Sequence, residues 1–208
     1  MARPQMFNQQ KVISKAIECF WIKGYSETSL ADLLAAMEIS RSTFYNSFGD
    51  KRQLFELCLQ NYGQQVQQIL AMTLLSDSSV IDSSAEKRSA FGIIKQFLYL
   101  VLITPDSELS ARGCLLVNTI AETAKSDGEL NQLAAELLKP IKSALIHQLK
   151  REFDDASSTQ HGEWLFTQLL GWRLQCQLGL DKGVLEQQIN WTLAQLKNNK
   201  IGRKAHVN

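Results

Sequence analysis

The side chains best suited to chemistry cluster between Ser40 and Lys51, in the run SRSTFYNSFGDK. Ser42, Thr43, Tyr45, Asn46 and Ser47 carry short groups that donate and accept hydrogen bonds, and Arg41 and Lys51 add positive charge. Phe44 and Phe48 stand one helical turn apart and share a face. With about 3.6 residues per turn, Ser42 and Asn46 then point directly away from it, flanked by Thr43 and Tyr45. Such a face suits the edges of bases and the oxygens of phosphates. It makes and breaks no covalent bond. No reacting constellation appears elsewhere: His147, His161 and His206 are scattered, and no HExxH, paired carboxylates, nucleophile elbow, phosphate loop or dinucleotide fingerprint is present. Cys19, Cys58, Cys114 and Cys176 lack metal-knuckle spacing and read as free thiols of a reducing compartment. Recognition is therefore expected, with no catalysis, metal or cofactor.

The elements that must hold this face are short helices with clear caps. Val12, Ile13, Ala16, Ile17 and Phe20 recur at steps of three and four, which predicts a helix over 8–23 closed by Gly24. Ser29 followed by Asp32 is a capping-box signature for a helix over 29–36. Ser40 caps a helix over 40–47, and Asp50 caps a fourth that turns Leu54, Phe55, Cys58 and Tyr62 inward. Two short helices joined by a few residues form a helix-turn-helix, whose second member enters the DNA major groove. Short helix pairs also serve as plain packing elements, and the spacing alone fits both uses.

Beyond a Ser/Asp-rich loop over 76–84, longer helical patterns cover about 86–103, 109–125 and 128–153. Pro140 is expected to kink or split the last of these, because it removes a backbone donor. A loop over 154–162 and helices over 163–179 and 183–198 follow. No alternating Val/Ile/Thr run suggests a strand. The expected fold is all-α: a helix-turn-helix domain over 1–62 and a larger helical domain over 63–208.

Charge gives little direction. The 22 Lys and Arg face 21 Asp and Glu, and residues 1–62 carry seven basic against six acidic side chains. A DNA face would thus depend on local placement. The longest apolar run, Phe97 to Ile103, falls far short of the roughly 20 residues that span a bilayer, so no membrane partner is expected and a cytoplasmic protein is. A basic tail over 197–208 reads as a solubilising terminus.

The pieces Ala16 with Phe20, Gly24-Tyr25, Thr28-Ser29, Asp32-Leu33, Ile39-Ser40, Thr43-Phe44-Tyr45, Phe48 and Lys51 together resemble the DNA-binding domain of the TetR family of bacterial transcriptional regulators. The resemblance covers roughly a quarter of the chain. It implies a homodimer that binds palindromic operator DNA, a repressor released by an effector. Thr43 and its neighbours would face the major groove. Tyr45, Lys51 and the start of the second helix near Thr28 and Ser29 would hold phosphates. Two positions depart from the family pattern: Glu38 stands where the turn often has Gly, and Leu34 where a small residue is common. Glu38 must therefore make the turn without the freedom of glycine.

The same resemblance assigns dimerisation and effector binding to the second domain. The stripe from Leu130 to Leu149 and the cluster Trp164, Leu165, Leu169, Trp172 and Leu178 fit a four-helix dimer interface, and also an internal core. The Gly113-Cys114-Leu115-Leu116 run is similar to a subgroup that includes electrophile-responsive repressors. A helix start and Arg112 beside Cys114 would favour its thiolate, whereas burial would leave it inert packing. Asn118, one turn on, is a candidate to bind a ligand or that thiolate. Tyr99, Trp172 and Cys176 are candidate pocket walls or core. The rival reading from another class is a helical interaction protein that has lost sequence-specific DNA binding.

Overall fold

The computed structural model describes residues 9–75, 89–104 and 112–205, with side chains up to residue 198. Among these residues every regular element is helical: α1 Gln9–Lys23, α2 Leu30–Met37, α3 Arg41–Phe48, α4 Lys51–Met72, α5 Ala90–Leu98, α6 Leu115–Thr123, α7 Gly128–Leu149, α8 Asp155–Gln177 and α9 Lys182–Ala205. A π-helical turn, Tyr99–Ile103, continues α5. The predicted loop over 76–84, Pro105 and the last three residues lie outside the described residues. The chain forms two compact units, Met1–Gln64 with Cys114–Leu137, and Gln65–Gly113 with Leu138–Asn208.

In the first unit the inward face of α1 is the one its periodicity requires: Val12, Ile13, Ala16, Ile17 and Phe20 are all buried. Phe20 packs on Phe55 with ring centres 4.6 Å apart, Tyr25 stacks on Phe55 at 4.7 Å, and Trp21 meets Tyr62 edge-on at 5.2 Å. Removing each such ring from water contributes about 2–3 kcal/mol, so this aromatic cluster is the foundation of the head. Both halves of the Ser29–Asp32 capping box are made, and Ser40 caps α3. Glu38 occupies the left-handed region at φ 57°, the conformation that glycine adopts freely, and Lys15 Nζ holds its carboxylate at 2.7 Å.

The longer helices correct several expectations. Pro140 lies within one continuous α7 and does not split it. One backbone donor is lost, but Leu138, Ile141, Ala144, Leu145 and Leu149 bury the turns on either side and hold them helical. The same burial places the second half of the 130–149 stripe in the protomer's own core, with Leu145 and Leu169 at 0% and 4% exposure. Helix α8 begins at Asp155, not near 163. Asp154 caps it by accepting from Ser157 N–H at 2.9 Å, so the Asp/Ser cluster that resembles a loop is a helix start. Gly162 lets the backbone of α7 come close: a Cβ there would stand 3.1 Å from Ile146 Cα. Helix α6 is shorter than 109–125, and Cys114 is its N-cap residue instead of lying inside it. The backbone of the basic tail continues α9 to Ala205. No helix of the described residues is long and apolar enough to cross a membrane.

Candidate nucleic-acid interface

The outer face of α3 is built from the inside out. Phe44 and Phe48 are buried and fix the helix by one side, which leaves Arg41, Ser42, Tyr45, Asn46 and Ser47 exposed on the other. Ser40 Oγ accepts from Thr43 N–H at 3.1 Å and lies 2.9 Å from both the Ser42 and Thr43 hydroxyls. Thr43 is half-buried and, like Ser42, tied to the cap, so Asn46 and Ser47 offer the freer hydrogen-bonding groups. Tyr45 keeps 49% of its surface exposed while its ring meets Phe44 edge-on at 5.5 Å. Arg41 is the one charge on α3, at the end where backbone N–H groups already favour an anion.

Three residues expected to hold phosphates have other duties. Thr28 is fully buried, and its hydroxyl donates to the Gly24 carbonyl. Its side chain is closed to any ligand, because the turn after α1 folds over it. Ser29 is exposed but committed to the capping box, with its hydroxyl donating to Asp32 Oδ2 at 2.7 Å. Lys51 donates to the carbonyls of Tyr25 and Thr28 at 3.0 Å each and to that of Ser26 at 3.4 Å. It also sits 4.7 Å over the Tyr25 ring. Three acceptors match the three N–H donors of an ammonium.

The same turn is gripped from its other side. Glu122 on α6 accepts from Tyr25 N–H at 2.9 Å and from Ser26 N–H at 2.6 Å. Burial pushes this carboxyl up, but the bonds from Ser26 and Tyr25 and the charge of Lys51 outweigh it, and the group lies below its ordinary range. A carboxylate on the N–H side and an ammonium on the C=O side thus fix residues 25–28, from which α2 departs. Arg52 adds a second tie, with its guanidinium 3.1 Å from Asp127 and 2.7 Å from Glu129. Sequence reading missed Glu122, Arg52 and Asp127. Glu122 has the local look of a solvated helix charge, and its partners lie almost a hundred residues away. Only the Asp127 cap of α7, donated to by Leu130 N–H at 3.0 Å, has a local signal.

The five candidate effector residues are divided between the two units. Cys114 and Asn118 belong to the first unit, and Tyr99, Trp172 and Cys176 to the second. Cys114 is buried, and the Tyr62 hydroxyl donates to its sulfur at 3.8 Å. Asn118 lines a crevice of about 170 Å³ beside Trp21, Tyr25 and Glu122. Trp172 is core, its indole N–H donating to Gln188 at 3.0 Å. Cys176 is also buried, which pushes its thiol up. Tyr99 lines an open groove.

These helices coincide with a known module. The family model for bacterial regulatory proteins of the TetR family matches residues 12–58, from α1 into α4. The HTH-type transcriptional regulator YezE of Bacillus subtilis is 30% identical over 154 residues, 74% of each chain. The chain belongs to the TetR family. It is accordingly a DNA-binding transcriptional regulator and not an enzyme. The HTH-type transcriptional repressor ComR of Escherichia coli is 24% identical over 128 residues, 62% of this chain and 57% of its own. The TetR-family regulator CifR, solved as a cysteine mutant complexed with 26-bp operator DNA, has the same fold, with a TM-score of 0.71 at 23% identity over 93% of this chain and 98% of that one.

Proposed function

We propose that the protein is a homodimeric repressor whose α3 helices read the two halves of a palindromic operator, and which an effector releases. The observation that carries this reading is the exposed polar face of α3, set on two buried phenylalanines. Residues 1–62 serve as the DNA head, and 63–208 as the dimerisation and effector region. Ser42, Asn46 and Ser47 reach base edges, with Thr43 at the margin, while Arg41, Tyr45 and the backbone around Ser29 meet phosphates. The operator complex of CifR and the naming of ComR as a repressor support the assignment.

For the dimer, α8, its C-cap and α9 expose Trp164, Leu174, Leu178, Val184 and Trp191, large apolar residues of the kind an interface covers. The interface reading thus moves from the 130–149 stripe to this exposed set. Leu178→Glu with Trp191→Glu should give folded monomers in light scattering.

The test of DNA reading is fluorescence anisotropy on the DNA upstream of the protein's own gene and on a scrambled copy. Asn46→Ala should cost about 1–3 kcal/mol on the operator and little on the scrambled duplex. Equal binding of both duplexes by the wild type would instead favour a helical protein without sequence-specific recognition.

The electrophile form of the effector runs through Cys114. An adduct on its sulfur would displace the Tyr62 hydroxyl and disturb α4 within the same unit. N-ethylmaleimide should then release operator from wild type and not from Cys114→Ser. Equal response of the two proteins excludes this route.

A further inference from the structure

The second unit carries a groove between α5 and α9 that none of the DNA-reading geometry uses. Its volume is about 520 Å³, inside the range of small-molecule sites. At roughly 30 Å³ per water it has room for a ligand of up to about 17 non-hydrogen atoms. Phe91 and Leu193 supply apolar wall, Tyr99 and Asn190 supply polar groups, and Lys95 and Lys197 supply charge. Among the described residues that line it there is no carboxylate. The charge these residues bring is of one sign, and their apolar wall is larger than their polar one.

Two further observations mark Tyr99. It opens the π-helical turn that ends α5. Such turns are rare and recur at functional sites. Its hydroxyl oxygen also receives the Asn190 amide N–H at 3.3 Å, which leaves the phenolic proton for another acceptor. Lys95 Nζ stands 5.2 Å from the centre of the same ring. A phenol O–H and two ammonium groups around an apolar trough are complementary to one kind of molecule.

We propose that this groove binds a small amphipathic anion, an alkyl or aryl carboxylate, with its body on Phe91 and Leu193 and its anionic head between Lys95, Lys197 and the Tyr99 hydroxyl. The binding stands on the groove alone; its use as the effector rests on the repressor reading above. Charge supplies specificity here more than affinity, because both lysines are solvent-exposed.

The experiment is calorimetric titration of the full chain with decanoate, decan-1-ol and decylammonium, in parallel with light scattering and operator anisotropy. Decanoate should bind once per protomer, with decan-1-ol weaker and decylammonium weakest. Lys95→Gln and Lys197→Gln should each weaken decanoate by about threefold to tenfold and leave decan-1-ol unchanged. Ala194→Trp, at an exposed position on the groove wall, should abolish binding of both without lowering the melting temperature. Absence of decanoate binding, or binding indifferent to all three substitutions, overturns the site. So does conversion of the dimer to monomers by Ala194→Trp, which would make the groove a contact between two copies. Groove binding without operator release keeps the site and removes its effector role. Operator release by N-ethylmaleimide with no decanoate binding overturns the site and leaves the repressor reading intact.

Discussion

The α2–α3 pair and the turn at residues 25–28 that precedes it are held by opposite kinds of interaction. The pair is fixed by near neighbours: Ser29 with Asp32, Ser40 with Thr43, and Phe44 one turn from Phe48. The turn is fixed by groups remote in sequence, Lys51 from one side and Glu122 from the other. A short helix needs only its own caps and a buried face, because each cap satisfies donors within three residues. A turn leaves N–H and C=O groups pointing outward in both directions, and long-range side chains must meet them. The head's reading surface is thus locally encoded, while its placement depends on the rest of its unit.

The sharpest way to break this contrast is to remove the remote carboxylate. Glu122→Ala should cost about 1–2 kcal/mol in urea unfolding and weaken operator binding about tenfold, although Glu122 has no place on the reading face. An unchanged operator affinity would show that the turn holds α2 without it. The pH dependence carries the same signature. A carboxyl held below its ordinary value in the folded protein contributes stability that is present above that ordinary value and lost as pH falls through the lowered one. Unfolding followed from neutral to acid pH should therefore show less acid loss in Glu122→Gln than in wild type.

Lys51→Met separates the two duties that sequence and structure give this residue. As a ligand of three carbonyls it should destabilise by about 1 kcal/mol and weaken all DNA, with the salt slope of binding preserved. A phosphate contact would instead lower that slope by about 0.9. Measuring log affinity against log salt for both proteins decides between them.

The local side of the comparison predicts smaller effects. Ser40→Ala removes one cap and should cost about 1 kcal/mol, with no dependence on residues beyond α3. Glu38→Gly should raise the melting temperature by about 2 °C, since glycine takes the left-handed turn without a Cβ penalty. Loss of the Lys15 contact opposes this gain only weakly, because Glu38 is exposed to solvent.

By itself, the sequence determined the all-α class, the positions of α1 to α3 within a residue or two, the start of α4, the capping residues Ser29, Ser40 and Asp50, and which side chains of α3 face outward. All of these follow from helical periodicity and from caps that act within one turn, so neighbouring residues suffice. Tertiary structure decided where the pattern misled or fell silent. Packing kept α7 whole through Pro140, and one cap made a helix start of the Asp/Ser cluster at 154–158. Burial enclosed Thr28, and long-range bonding took Lys51 for the turn and made Glu122 its counterpart. A charge on a helix surface looks the same in sequence whether it meets water or a backbone amide a hundred residues away, and only folding brings that amide to it.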